Sequence, residues 1–199
     1  MKNYDALNSF QVLGANIQNI LDAFGAFSVL AGKIMLDEKL GTQNADGTTL
    51  FDADKWYPLA NNLRAIDRIQ QEYGSIIIRQ MSAALLRNAK FPPSVNNIES
   101  GLASVDVAYH INHAKNGVAL FSPATGQMGE GIGHYTTKPV AGKKQILCEV
   151  NTPYSCVFDQ GLLLAMAHRF QPTASLVHQN PTQCRNSGFP SCSYAVSWK

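Results

Sequence analysis

Residues 134–198 read HYTTKPVAGKKQILCEVNTPYSCVFDQGLLLAMAHRFQPTASLVHQNPTQCRNSGFPSCSYAVSW, and this stretch decides the fold class. Residue alternation and turn signals predict four strands and one helix, at about 134–137, 145–150, 175–178, 192–198 and 156–170 respectively. Ala141-Gly142-Lys143 is typical of a hairpin between the first two strands. The predicted order is therefore β-β-α-β-β, which favours an antiparallel sheet.

The chain before this stretch is mostly helical in character. Hydrophobic residues at helical spacing predict helices near residues 59–73, 75–89 and 95–114. Phe91-Pro92-Pro93 ends the second of these helices, because proline cannot continue one. The sequence thus predicts an α+β fold in which N-terminal helices precede the sheet.

Apolar residues recur at steps of three and four near the N-terminus. They are Phe10, Leu13, Ile17, Ile20, Phe24, Phe27, Ala31 and Ile34. This a/d pattern predicts one continuous amphipathic helix. Such a helix either forms a homodimer or packs against its own domain. The predicted division is a dimerisation helix within residues 1–40 and a ligand-binding domain over residues 50–199.

Composition excludes several classes of protein. The 199 residues are 45% hydrophobic, and the net charge of +2 comes from 16 basic and 14 acidic residues. Without a concentrated basic face, nucleic acid is not an expected partner. The sequence predicts no membrane span and no signal peptide, so the expected location is the cytoplasm. Nucleotide-binding and hydrolase motifs are absent, which favours a non-enzymatic role.

Three cysteines carry the strongest chemical signal. Seven residues with a central glycine separate Cys184 from Cys192, and Cys156 begins the predicted helix. This spacing suits three thiolates of a structural zinc site, with His178 or Cys148 as the further ligand. Buried free thiols and a Cys184–Cys192 disulfide are the alternatives.

The C-terminal part also resembles a known family, the 4-vinyl reductase domain. The motif Asn-x-Pro-Tyr-x-Cys-x-Phe-x-x-Gly begins at Asn151, and Cys-x3-Gly-x3-Cys-x-Tyr-x-Val-x-Trp begins at Cys184. The family is similar in fold to subunits of the TRAPP tethering complex. It includes sensor domains of phenol- and toluene-responsive activators and proteins linked to bacteriochlorophyll synthesis.

The resemblance implies a TRAPP-like fold and a zinc site at Cys156, Cys184 and Cys192. In the phenol sensors a glutamate three residues before the second cysteine completes the site, whereas this chain has Pro181 there. His178 or Cys148 would then take the place of this glutamate. On this resemblance zinc is the candidate cofactor, and heme or another tetrapyrrole is the less favoured one.

A second constellation lies on the predicted helix over residues 95–114. Asp106, His110 and His113 share one face of this helix. They could contact a ligand, or hold a non-heme metal or heme. The alternative is that this face is solvated. We expect an apolar pocket between this helix and the 134–150 hairpin. The predicted ligand-binding residues are Trp56, Tyr109, His110, His113, Phe121 and Tyr135.

These features favour a small-molecule sensor that binds a small hydrophobic or aromatic ligand. It would act through a homodimer or a signalling partner protein. One alternative is an enzyme or accessory protein that acts on a tetrapyrrole or a similar hydrophobic substrate. The other is a non-enzymatic structural tether.

Overall fold

The computed structural model describes residues 3–87 and 89–199, apart from the side chains of Ala26 and Arg87. Among the described residues, more belong to helices than to strands. The α-helices are α1 Gly14–Asp22, α2 Ser28–Asp37, α3 Leu59–Tyr73, α4 Ser75–Arg87, α5 Ile98–Ile111 and α6 Cys156–Phe170. Short 3-10 turns lie at Asp5–Leu7, Gly25–Phe27 and Arg185–Ser187.

The strands of the described residues form three antiparallel sheets. In chain order the strands are β1 Phe10–Leu13, β2 Thr42–Gln43, β3 Thr49–Leu50, β4 Trp56–Pro58, β5 His113–Lys115, β6 Val118–Ala119, β7 Tyr135–Pro139, β8 Gln145–Val150, β9 Ser175–His178 and β10 Cys192–Ser197. One sheet has the order β4-β1-β5-β6, a second has the order β7-β8-β10-β9, and β2 pairs with β3.

The C-terminal part follows the predicted order β-β-α-β-β and confirms the α+β class. In the second sheet Tyr194 lies opposite Cys148 on one side and His178 on the other. The Ser155 side chain caps α6 by accepting a hydrogen bond from the Phe158 backbone amide. This cap explains why the helix begins at Cys156, directly after the turn that contains Pro153.

Helix α6 packs closely against α4 because Gly161 has no side chain. A Cβ atom added at Gly161 would lie 2.8 Å from the backbone oxygen of Arg79 and would also meet the Ser82 hydroxyl. The two helices therefore approach to backbone contact at this point.

The predicted continuous N-terminal helix is not present. The segment forms β1, α1, a 3-10 turn and α2 instead. Leu13 is extended, with φ −69° and ψ 136°, and Gly25 has a positive φ of 52°. Both conformations interrupt a helix. Strand β1 pairs with β4 and β5, so tertiary pairing overrides the helical spacing.

Most of the a/d residues of this segment lie inside the fold. Ile17, Ile20 and Ile34 are buried, while Phe27 is exposed. The buried residues of the stripe therefore pack against their own chain. No helix of the described residues is long and apolar enough to cross a membrane.

Candidate functional site

A cavity of about 550 Å³ lies between α1, α4, α5 and α6, with the segment 89–95 at its rim. We call it the α1–α5 cavity. Its surface is mostly apolar. The apolar residues that line it include Val12, Ile20, Leu85, Leu86, Phe91, Val95, Val105, Ile111, Phe158 and Leu162. Its size and lining are those of a small-molecule site.

His113 is the central polar group of the cavity wall. Its Nδ1 lies 2.7 Å from the backbone oxygen of Tyr109, and its Nε2 lies 2.8 Å from the Tyr154 hydroxyl. Because a carbonyl oxygen only accepts hydrogen bonds, Nδ1 carries the proton and Nε2 keeps its lone pair. Burial lowers the pKa of His113 to about 4, so the imidazole is neutral.

Two further tyrosines contribute polar atoms. The Tyr109 hydroxyl donates to the backbone oxygen of Ile132 over 2.8 Å, and the Tyr135 hydroxyl donates to Asp159 over 2.6 Å. Burial raises the pKa of both phenols well above their usual range. The cavity therefore combines an apolar wall with neutral, oriented polar groups.

Asp159 connects the cavity wall to the cysteine loop. Its carboxylate is fully buried and forms an ion pair with Arg185, which also donates to the Tyr154 backbone oxygen over 3.0 Å. Burial raises the pKa of Asp159, and the Arg185 guanidinium opposes this effect. The Arg185 backbone amide contacts Cys192 Sγ at 3.4 Å.

The structure separates the predicted ligand-binding residues into two groups. Tyr109, His113 and Tyr135 line the α1–α5 cavity, whereas His110, Trp56 and Phe121 do not. His110 is buried beside His134, Trp56 lies on β4, and Phe121 forms a bridge with Met128. From the predicted 134–150 hairpin wall, only Tyr135 reaches the cavity.

Sequence reasoning missed two parts of the cavity wall. Tyr154 belongs to the motif that begins at Asn151, but its contact with His113 joins residues 41 positions apart. Asn16 and Asn19 on α1 also line the cavity. Their three-residue spacing on a helix is the available sequence signal, because both side chains then share a face.

The three predicted zinc ligands do converge. The three Sγ atoms, of Cys156, Cys184 and Cys192, all lie within 4.8 Å of one another. Those of Cys156 and Cys192 are 3.2 Å apart. His178 is not part of this group, and its ring packs on Tyr194. All four cysteines are free thiols, so the alternative Cys184–Cys192 disulfide is not formed.

A second group of metal-type ligands lies outside the cavity. Asp106 and His110 are one turn apart on α5, and His134 precedes β7; their ligand atoms lie within 4.8 Å of one another. Partial burial lowers the pKa of His134, but hydrogen bonds to Asp106 and Glu130 outweigh this, and the net pKa is raised.

Solved structures with a similar fold are H-NOX domains. No family model and no curated protein matches the chain. The NMR structure of the SO2144 H-NOX domain from Shewanella oneidensis in the Fe(II)CO ligation state is 14% identical, with a TM-score of 0.63 and coverage of 94% of this chain and 98% of that one. A structure from work on heme distortion in the H-NOX family has a TM-score of 0.65, with 13% identity and 94% coverage of both chains.

A third similar structure is an oxygen-binding H-NOX domain related to soluble guanylate cyclases, in its oxygen complex. It is 14% identical, with a TM-score of 0.61 and coverage of 94% of this chain and 92% of that one. At these identities the similarity establishes the fold, which is that of H-NOX domains.

These comparisons correct two predictions. The resemblance to the 4-vinyl reductase domain family, with its TRAPP-like fold, is wrong because the similar solved structures are H-NOX domains. The order of cofactors, with zinc at Cys156, Cys184, Cys192 and His178 ahead of heme, is wrong as well. Heme is the group named for solved structures of this fold.

Proposed function

We propose that this chain is a sensor domain that holds heme in the α1–α5 cavity, with His113 as the ligand of the iron. The observation that carries the proposal is the neutral His113 imidazole, whose Nε2 lone pair belongs to the cavity wall. The H-NOX fold of the chain supports the same assignment.

The residues of the cavity fit heme in three respects. A volume of about 550 Å³ and a mostly apolar wall suit a large planar hydrophobic group. The Nδ1–H of His113 is held by the Tyr109 carbonyl, which is the usual outer partner of a metal-binding histidine. Lys90 at the rim supplies a positive charge for the carboxylates that heme carries.

The chain's own residues would orient the cofactor and keep water away. Tyr109 fixes the ring of His113 from behind, while Phe158 and Leu162 exclude solvent. Tyr154 would give up its hydrogen bond to Nε2 of His113 for this atom to hold the iron. When bound, heme would supply an iron that can hold a small gas molecule, the kind of ligand present in the carbon monoxide and oxygen complexes of the similar H-NOX structures. The homodimer and the signalling partner stay predictions.

The test is a titration of the purified, heme-free protein with hemin. We expect saturation at one equivalent, with a sharpened and shifted Soret band and a higher melting temperature. His113→Ala should weaken binding at least tenfold and change the spectrum. His178→Ala is the matched control, because His178 does not line the cavity. Unsaturable binding, or a His113→Ala protein with the wild-type spectrum and affinity, would contradict the proposal.

A second candidate is a sensor for a small aromatic molecule without iron. The observation that favours it is the Tyr154–His113 hydrogen bond, which already satisfies the ligand atom. In that case an apolar fluorescent probe should bind in the cavity, and hemin should fail to compete with it.

A further inference from the structure

Asp106, His110 and His134 bring two imidazoles and one carboxylate together outside the α1–α5 cavity. One ligand atom from each lies within 4.8 Å of the other two. None of the three residues lines the cavity. Two elements contribute, since Asp106 and His110 belong to α5 and His134 directly precedes β7.

The His110 ring has a free nitrogen that can act as a metal ligand. Its Nδ1 lies 2.8 Å from the Asp106 backbone oxygen, so Nδ1 carries the proton and Nε2 has a free lone pair. The side chain is fully buried, and Nε2 has no hydrogen-bond partner among the described residues. A buried acceptor without a partner is costly, and a bound cation would satisfy it.

His134 and Asp106 provide the open side of the cluster. Nδ1 of His134 lies 3.0 Å from Asp106 Oδ2, and its ring stacks on His110 with centroids 4.8 Å apart. The His134 side chain is 27% exposed, so an ion from solvent has access. The other carboxylate oxygen, Asp106 Oδ1, accepts the Tyr135 backbone amide over 2.9 Å, which fixes its orientation.

Glu130 supplies the outer partner that metal-binding histidines usually have. Its carboxylate lies 3.1 Å from His134 Nε2, so this nitrogen can donate a proton outward while Nδ1 binds the ion. No lysine or arginine in the described part of the chain forms an ion pair with Asp106 or Glu130. The charge around the cluster is therefore negative, which favours binding of a cation.

We propose that Asp106, His110 and His134 bind a divalent transition-metal ion. Two imidazoles and one carboxylate select an ion of intermediate softness such as Co²⁺, Ni²⁺ or Fe²⁺ over Mg²⁺ or Ca²⁺. The bound ion joins α5, the helix that ends next to His113, to the start of β7. This site is independent of the heme proposal, because it uses no residue of the cavity wall.

The test is a titration of the heme-free, untagged protein with Co²⁺, followed by visible absorbance and melting temperature. We expect one equivalent to give weak d–d bands typical of nitrogen and oxygen ligands and to raise the melting temperature. His134→Gln should weaken this binding at least tenfold. Glu130→Gln should weaken it less, because Glu130 acts through His134.

Two controls separate this site from the rest of the molecule. His178→Gln removes a half-buried histidine outside the cluster and should leave the affinity for Co²⁺ unchanged. A melting curve of His134→Gln without metal should match the wild type, which shows that the variant is folded; if it does not, Asp106→Asn is titrated in its place. Unchanged binding in the folded variant would overturn the proposal. So would intense thiolate-to-cobalt charge-transfer bands at one equivalent, which would assign the ion to the three cysteines.

Discussion

The hydroxyl of Tyr154 donates a 2.8 Å hydrogen bond to Nε2 of His113, at the wall of the α1–α5 cavity. Both side chains are buried, and the two residues come from different elements, the turn before α6 and the start of β5. The same nitrogen lone pair therefore serves either the phenol of Tyr154 or a bound metal ion. Coordination of a metal ion by Nε2 of His113 and this hydrogen bond exclude each other.

The Tyr154→Phe variant should change stability and heme affinity in opposite directions. Loss of the phenol leaves Nε2 of His113 buried without a partner, so the free energy of unfolding of the heme-free protein should fall by about 1–2 kcal/mol. In the proposed heme-bound form His113 does not make this hydrogen bond. Hemin should therefore bind up to about tenfold more tightly, since about 1.4 kcal/mol corresponds to one factor of ten.

Urea denaturation and hemin titration measure the two effects. Tyr73→Phe serves as the matched control, because Tyr73 ends α3 and does not line the cavity. Equal or weaker hemin binding by Tyr154→Phe would argue against coordination through Nε2 of His113.

The buried ion pair between Arg185 and Asp159 should be sensitive to loss of one partner. Arg185 is only 11% exposed and Asp159 is fully buried. Arg185→Met leaves a buried carboxylate without its cation, which should reduce the free energy of unfolding by about 3 kcal/mol. Lys138→Met, on an exposed position of β7, should change it by less than about 0.5 kcal/mol.

Chemical denaturation of both variants measures how much the ion pair contributes to the free energy of unfolding. A loss below about 1 kcal/mol in Arg185→Met would mean that the pair is not intact in solution. Protonation of Asp159 limits the loss at low pH, because burial already raises the pKa of its carboxyl group. The difference between the variants should therefore be larger at pH 8 than at pH 5.

Two of the four thiols, Cys184 and Cys148, should differ strongly in reactivity. Burial raises the pKa of Cys148 to about 12. At Cys184 burial also raises the pKa, but hydrogen bonds from Asn186 and Ser187 outweigh it and the net pKa is lowered. Because the thiolate is the reactive form, Cys184 should be modified much faster than Cys148.

Limited alkylation at pH 7–9 followed by peptide mass spectrometry identifies the order. At pH 8 a thiol with a pKa near 12 is ionised in only about one molecule in ten thousand, so Cys148 should stay unmodified in the folded protein. Cys184→Ser should abolish the fast phase. Modification of Cys148 ahead of Cys184 would be inconsistent with these environments.

Local signals were sufficient to predict most of the C-terminal half. The bounds of α6, β8 and β9 agree with those expected from residue alternation and from the turn containing Pro153. Here each element carries its own start and stop signals, such as the Ser155 cap. The local pattern and the tertiary structure therefore agree.

The N-terminal segment and the family could not be predicted in the same way. The apolar residues from Phe10 to Ile34 are compatible with one long helix and equally with β1 followed by two helices. In both arrangements most of these residues can be buried. Pairing of β1 with residues 56–58 and 113–115 decides between them, and this pairing is not local. The cysteine spacing similarly describes a tight loop before β10, which does not identify a family.

The candidate site also combines residues that local spacing predicted with residues that it could not predict. Helical spacing predicted Tyr109 and His113 as ligand-binding residues, and both lie on or next to α5. Their hydrogen-bond partners come from distant positions, namely Tyr154 for His113 and Ile132 for Tyr109. Spacing also placed His110 with His113, whereas the fold turns His110 toward His134.

The close contact at Gly161 has a consequence for the α1–α5 cavity. The next residue, Leu162, lines the cavity from α6, and Leu85 and Leu86 line it from α4. A side chain at position 161 would wedge these two helices apart and so separate two walls of the cavity. Gly161 does not itself line the cavity, yet the absence of a side chain there limits how wide the cavity is and so how large a molecule it admits.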